Sequence, residues 1–462
     1  MEAADAQIKS TPAVPASQPD KPAADASGPL VDLLQAHLLP CNLDVDRVTP
    51  EDAEALAAAL EAASWRGAPA LKQVLPAAAA VRLLEALAQL LKAQPTLVEV
   101  EPASEDVTVT VFGDTHGQLH DVLHALRTVG VPGPRRHFIF NGDFVDRGAW
   151  GLEVLAVLAA WKLAAPGAVT LLRGNHESAT CTAMYGFRAE LVAKYGAGMP
   201  GVYRAAKRAF AALPLAARVA RVALVLHGGL FRRPPEARGG LHRRKRRRPP
   251  PGTPLALGSL ADLRAASKGG IDPSGIGATL VATDVMWSDP VAEPGLRTND
   301  ARGVGLVFGP DATQAFLAEN ALRLVLRSHE GPDARWRRED LPGMAAGFTV
   351  DHVTPAGRLC TVFSAPDYPQ FQADDEDRYN NLGAVAVLRG PTWDNPEWLQ
   401  FAAVLPRPPS AAFYAFDDVP DSDEEIEVGG QRGSDASGLS GGSALSTGSL
   451  AESDGPTRHL SK

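Results

Sequence analysis

Cysteine is scarce in this chain. Its 462 residues hold only Cys41, Cys181 and Cys360. An odd number of widely spaced thiols argues against a disulfide framework and for a reducing compartment. Cys181 and Cys360 read as small core residues rather than nucleophiles. Long apolar runs are missing too, and no stretch reaches the length of a membrane span. The N-terminus has no basic segment leading into an apolar one, which is wrong for a secretory signal. It carries Glu2, Asp5, Asp20 and Asp25 and no early arginine, which is wrong for an organelle transit peptide. Net positive charge is also absent. A formal charge of −9 argues against a nucleic-acid partner. No internal repeat is visible. These absences predict a soluble, intracellular protein with no membrane partner.

What is present is ample core material, with hydrophobic residues at 45%. Residues 1–29 are rich in Ala, Pro, Ser and Asp and read as a disordered N-terminus. Residues 30–96 read as a helical extension packed on the main domain. Thr49-Pro50-Glu51-Asp52 has the form of a helix start, with Thr as N-cap, Pro in the first turn and acids near the positive end. A second helix is predicted over Ala77–Ala93, with Val81, Leu84, Leu87, Ala88 and Leu91 at helical spacing.

The main domain is predicted to span 97–405. Strands are expected at Leu97–Val100, Val107–Phe112, His137–Asn141, Val169–Arg173 and Val219–Leu226. Helices are expected at His120–Val129, Trp150–Leu163 and Ser178–Tyr195. An insertion rich in Pro, Gly and Arg follows at about 232–279. The pattern resumes with a helix at Thr313–Glu319 and strands at Leu322–Leu326, Phe348–Val350, Leu359–Phe363 and Ala384–Leu388. This alternation argues for an α/β core. Residues 406–462 turn Pro-rich, then acidic, then Gly/Ser-rich, and read as a disordered tail.

The strand ends carry the chemistry. Gly113-Asp114-Thr115-His116-Gly117 follows one strand and Gly142-Asp143-Phe144-Val145-Asp146-Arg147-Gly148 the next. Arg173-Gly174-Asn175-His176-Glu177, His227-Gly228-Gly229 and Ser328-His329-Glu330 close later ones. Strand ends in α/β folds converge on one crevice. Asp, His and Asn side chains without thiolate suit Mn, Fe or Zn rather than a structural zinc site. There are too many ligands for one ion with an open position. They suit two ions roughly 3.5–4 Å apart sharing a carboxylate.

These motifs, in this order, resemble the metallo-dependent serine/threonine phosphoprotein phosphatases. Asp284-Val285-Met286-Trp287-Ser288-Asp289-Pro290, Arg302-Gly303-Val304 and Ser364-Ala365-Pro366-Asp367-Tyr368 agree with it. Within that family the plant protein phosphatase 7 type is the nearest likeness, carried by Gly148–Glu153, Ser328–Arg335 and Ser364–Gln372. The resemblance implies a metallophosphoesterase β-sandwich flanked by helices, acting on phosphorylated proteins through a water activated by two metals. It implies that Asp114 and His116 hold the first metal, that Asp143 bridges both, and that Asn175, His227 and His329 hold the second. Arg147 and Arg302 would clamp the phosphate, with Asn175 also reaching it, and Tyr368 would border the cleft. His176, polarised by Asp146, would be the general acid. Glu177 would fix its loop. An inactive phosphatase-like scaffold and another kind of metallophosphoesterase are the alternatives.

The insertion contains the run His242–Arg248, which reads as a solvated charged loop or a nuclear localisation signal. The family resemblance also suggests calmodulin, with Leu255, Leu257, Leu260 and Leu263 as apolar anchors. By position the insertion could cover the cleft. The acidic run Asp421–Glu427 could pair with the basic one, and Ser422 suits an acid-directed kinase.

Overall fold

The computed structural model describes residues 43–235, 255–370, 378–410 and 413. The N-terminal 29 residues, the basic run, Ser422 and the acidic run lie outside them. The first helix, α1 (Pro50–Ser64), starts as its sequence predicts. The Thr49 side chain accepts from Asp52 N, and Asp52 accepts in return from Thr49 N, the reciprocal arrangement that satisfies two orphan donors. Helix α2 (Ala77–Lys92) buries Leu84, Leu87 and Leu91 on one face, with Val81 and Ala88 at its margin.

Strands β1 (Leu97–Val100) and β2 (Thr108–Phe112) lead into helix α3 (Leu119–Val129). Then come β3 (Arg136–Phe140), α4 (Gly151–Ala164) and β4 (Val169–Leu171), followed by α5 (Ala179–Met184), α6 (Phe187–Tyr195) and α7 (Met199–Ala212). Next are β5 (Ala216–Val219), β6 (Ala223–Leu226), α8 (Leu260–Ala265) and α9 (Leu280–Trp287). The short strands β7 (Asp289–Pro290), β8 (Leu296–Thr298) and β9 (Leu306–Phe308) form a small sheet. Helix α10 (Pro310–Glu319), β10 (Leu324–Arg327), α11 (Pro332–Arg335), β11 (Phe348–Thr354), β12 (Gly357–Val362), β13 (Gly383–Arg389) and β14 (Glu397–Phe401) complete the order.

One sheet runs β1-β5-β6-β10-β12-β11 and the other β14-β13-β2-β3-β4. Strand alternation shows that they form a sandwich. Val109, Val111 and Ile139 of one sheet share an apolar layer with Val225, Leu324, Leu326 and Cys360 of the other. The neighbouring residues Phe112, Phe138 and Phe140 point the other way, into a core with α1, α2, α4 and α7. Leu224, Leu226, Val325 and Leu359 point outward from their sheet onto α8, α9 and α10. The chain is therefore helix, sheet, sheet, helix in layers, and α1 and α2 share a core with the sandwich.

Three expectations need correction. Val219–Leu226 is not one strand but a hairpin, β5 pairing antiparallel with β6. The turn is made by left-handed backbone at Ala220 (φ 47°) and Arg221 (φ 62°), without the Gly or Asn that would have marked it. Ser178–Tyr195 is two helices, broken where Gly186 takes φ 116°. Helix α7 was not anticipated, although Val202, Ala205, Ala206, Ala209 and Phe210 form its buried stripe. Part of the insertion belongs to the fold. Leu260 and Leu263 are buried in the core beside α9, so in this folded state they are closed to a partner helix.

His120 joins the layers. Its ring lies edge-on to Trp150 at 4.7 Å, and its Nε2 sits 2.9 Å from Ser64 Oγ on α1. Burial pushes its pKa down to about 4, against the pull of Glu61. The folded value lies below the unfolded one, so its contribution is intact above about pH 6.5 and is lost as pH falls toward 4. Denaturant melts of the full chain should lose on the order of 3 kcal/mol to this group over that window. In His120→Gln that share of the acid slope should vanish. An unchanged slope in the variant would remove His120 as the cause.

Candidate metal and phosphate site

The expected residues converge at the strand ends, and their backbone is unusual. His116, Asp143, Asp146, Arg147 and His329 all have positive φ, from 39° to 76°. Such conformations are costly for non-glycine residues and cluster where surrounding structure enforces a functional geometry. The glycines between them allow close packing. A Cβ on Gly174 would meet Asp143 Oδ1 at 2.1 Å, and one on Gly148 would meet His116 O at 2.0 Å.

Asp143 is central. Its Oδ2 lies 3.9 Å from His116 Nε2 and 3.3 Å from His227 Nε2, while Oδ1 accepts from His176 N at 3.0 Å. Ligand atoms of Asp143, His227 and His329 fall within 4.8 Å of one another, and so do those of His116, Asp143 and His176. Asp143 belongs to both groups. Asp114 Oδ2 is 3.9 Å from His116 Nε2, and Asp114 Oδ1 accepts from His329 N. Asn175 Oδ1 faces His227 Nε2 at 2.8 Å and His329 Nδ1 at 3.0 Å. Carbonyl oxygens fix two of the rings: His116 Nδ1 is 3.2 Å from Val145 O, and His227 Nδ1 is 2.8 Å from Asn141 O. Asp114 Oδ2, His329 Nε2 and Asn175 Nδ2 are buried without a hydrogen-bond partner.

The electrostatics are unbalanced without a cation. Burial, followed by the nearby Asp143 charge, pushes Asp114 up to about 7 and Glu177 likewise to about 7. Burial also works against ionised Asp143, but His227, His176 and His116 outweigh it and hold this carboxyl below the usual range. Burial opposes charging of His227, yet Asp143 and Asp114 raise it to about 9. His116 and His329 are driven well down, chiefly by burial and then by Arg147 and Arg302 respectively. Buried acids among imidazoles, with orphaned oxygen and nitrogen atoms aimed inward, fit a hard or borderline cation.

His176 is held differently. Its Nδ1 lies 2.8 Å from Asp146 Oδ2, and Asp146 Oδ1 accepts from Phe187 N at 2.9 Å. The helix break at Gly186 supplies that amide, so the unexpected break orients the Asp146–His176 pair. Glu177 fixes its loop as expected. Its carboxylate accepts from Asp143 N, Phe144 N and Gly174 N at 2.8–2.9 Å. Arg173 continues the anchoring, donating to Glu177 O and to the carbonyls of Lys268, Gly270 and Ile271.

Both expected phosphate arginines are buried and paired. Arg147 donates to Asp333 Oδ2 at 3.1 Å and to the Tyr368 hydroxyl. Arg302 pairs with Asp289, which also binds Arg327 at 3.0 Å. Sequence reasoning assigned no role to Asp289, Asp333 or Arg327. Their signal was present: an arginine ending the apolar strand β10, and two acids inside segments already singled out. Thr115 is buried, and burial raises the Cys360 thiol to about 12 and the Cys181 thiol further still, which suits inert core residues.

Residues 107–333 match the calcineurin-like phosphoesterase family. The chain is 43% identical to serine/threonine-protein phosphatase 7 of Arabidopsis thaliana over 83% of its length and 94% of that protein's. It is 36% identical to serine/threonine-protein phosphatase 5 of Homo sapiens, covering 70% of this chain and 54% of the relative. Among solved structures, a protein serine/threonine phosphatase from Saccharomyces cerevisiae aligns with a TM-score of 0.55 at 32% identity, covering 72% of this chain and 92% of that one. The same sandwich, the same order of strand-end motifs and this level of identity lead to one conclusion: the chain belongs to the serine/threonine-protein phosphatases of the calcineurin-like phosphoesterase family.

Proposed function

We propose that the protein hydrolyses phosphoserine and phosphothreonine in protein substrates. The observation that carries this reading is the sharing of Asp143 between His116 on one side and His227 and His329 on the other. Asp114, His116 and Asp143 would hold one ion, and Asp143, Asn175, His227 and His329 a second. Mn, Fe or Zn suits this donor set. When bound, the two cations offset phosphate charge and make water a competent nucleophile near neutral pH.

The chain's own residues supply the rest. Arg147 and Arg302 offer guanidinium groups to the non-reacting phosphate oxygens. Asn175 Nδ2, buried and unpartnered, is a further donor to one of them. Tyr368 packs against the His116 ring and bonds to Arg147, which supports reading it as a wall of the phosphate pocket. As water attacks phosphorus in line, the bond to the serine or threonine oxygen breaks. His176 Nε2 delivers the proton that the departing alkoxide needs, while Asp146 holds Nδ1–H and the ring's orientation. An inactive scaffold fits less well, since no metal or acid position is missing.

Two finer readings rest on the sequence alone. The basic run Arg243–Arg248 supports nuclear entry alongside a cytoplasmic pool. With Leu260 and Leu263 buried, calmodulin docking on the insertion would be left with Leu255 and Leu257, and Leu257 itself packs partly on the same core.

Phosphate release from a phosphoserine peptide, with added Mn, tests the activity. Asp143→Asn should lose both activity and bound metal. His176→Ala should keep its metal and lose about 10²–10⁴-fold in kcat. Absence of wild-type activity in a folded, metal-loaded protein would favour the scaffold, and equal activity in all three proteins would discard the mechanism. Glu177→Ala gives a separate outcome. It strands the amides of Asp143, Phe144 and Gly174, at about 1–3 kcal/mol for each one left unsatisfied. Thermal melts and metal titration should therefore show lower stability and weaker metal binding together.

A further inference from the structure

We propose that Asp333 is a positioning residue that competes with the phosphate group for Arg147. This inference rests on the phosphatase reading. Arg147 is 4% exposed and Asp333 2%, so their contact is a buried charge pair, with Nη1 to Oδ2 at 3.1 Å. A guanidinium buried without an anion costs several kcal/mol. A phosphate pocket meets that problem in every cycle, when product leaves. Asp333 supplies the replacement anion from within the chain.

The local structure is built around that carboxylate. Asp333 lies at the start of α11, immediately beyond the His329 loop. A Cβ on Gly331 would come within 2.6 Å of Asp333 Oδ1, so a side chain at position 331 would crowd the acid. Asp333 also lines a cavity of about 380 Å³ together with Arg302, Arg337 and Arg338. The same cavity is lined by Asp289, Glu330 and Asp340, with which Arg302 and Arg338 pair, so what it offers a displaced carboxylate is space. On Arg302 the facing carboxylate is Asp289, which Arg327 and Asn299 Nδ2 also hold. Phosphate wins when present because a dianion makes stronger charge-assisted bonds than a carboxylate. Its hold is nevertheless weakened by the cost of displacing Asp333, which favours product release.

The test uses the full chain loaded with Mn. Inhibition by inorganic phosphate and KM for a phosphoserine peptide are measured for wild type, Asp333→Asn, Asp333→Ser and Asp333→Glu. Removing the charge should lower the inhibition constant for phosphate about fivefold, the difference between a charged and a neutral hydrogen-bond partner. KM should fall with it while kcat does not rise, and Asp333→Glu should return toward wild type. A purely structural residue would instead lower melting temperature and kcat without tightening phosphate. An inhibition constant that is unchanged or raised in both Asn and Ser variants, with melting temperatures near wild type, overturns the proposal. If wild type releases no phosphate from the peptide, the proposed activity falls. The thermal shift induced by inorganic phosphate still ranks the same variants without turnover.

Discussion

The structure depends on keeping buried charge in balance at one point between the two sheets. Asp114, Asp143 and Glu177 are all essentially inaccessible to water, and the imidazoles of His116, His227 and His329 surround them. No apolar packing compensates for this concentration of ionisable groups. Ionised carboxylates in such a place require cations or pairing, or they take up protons. Burial and the neighbouring Asp143 charge push Asp114 and Glu177 up, toward the second outcome. A metal ion held by these side chains would supply the first.

The same constraint reaches outward through backbone. Left-handed conformations at His116, Asp143, Asp146, Arg147 and His329 aim side chains that ordinary strand ends would point apart. Each costs of order 1–3 kcal/mol, which the surrounding bonds must offset. Glu177 clamps the Asp143 and Gly174 amides, Asp146 captures Phe187 N, and Arg147 N donates to Tyr185 O. A second buried network stands behind His329. Glu330 receives Arg327, Arg335 and Arg338, and their positive charges outweigh burial and hold it ionised.

Much of this was legible in the sequence. The strand-end motifs contain the ligand types in short, glycine-flanked segments, and the α/β alternation follows from apolar periodicity. The illegible parts share a physical cause. The β5–β6 hairpin turns through Ala220 and Arg221, residues with no turn signature, so an apolar run looked continuous. The break at Gly186 is stabilised by Asp146, far away in sequence, and local propensity could not reveal it. Asp333 and Asp289 gain their meaning only from Arg147 and Arg302 across the fold. Local pattern predicts elements and motif residues, whereas partners chosen by tertiary packing stay hidden.

The insertion shows where that limit matters most. Its composition suggested an appendage, yet residues 255–279 are built into the domain. Leu260 and Leu263 fill the core under β6 and β10. Lys268 Nζ donates to Leu91 O and Ala212 O, satisfying carbonyls at the C-terminal ends of α2 and α7. Asp272 accepts from Thr180 N at the start of α5, and Arg173 donates to three carbonyls of the returning chain, those of Lys268, Gly270 and Ile271. The segment carrying Asn175, His176 and Glu177 is therefore flanked on both sides by bonds to the insertion. Arg173 and Thr180 thus tie the returning chain of the insertion to the loop that carries Asn175, His176 and Glu177. The residues of the insertion that make these bonds are therefore part of what holds the site in place.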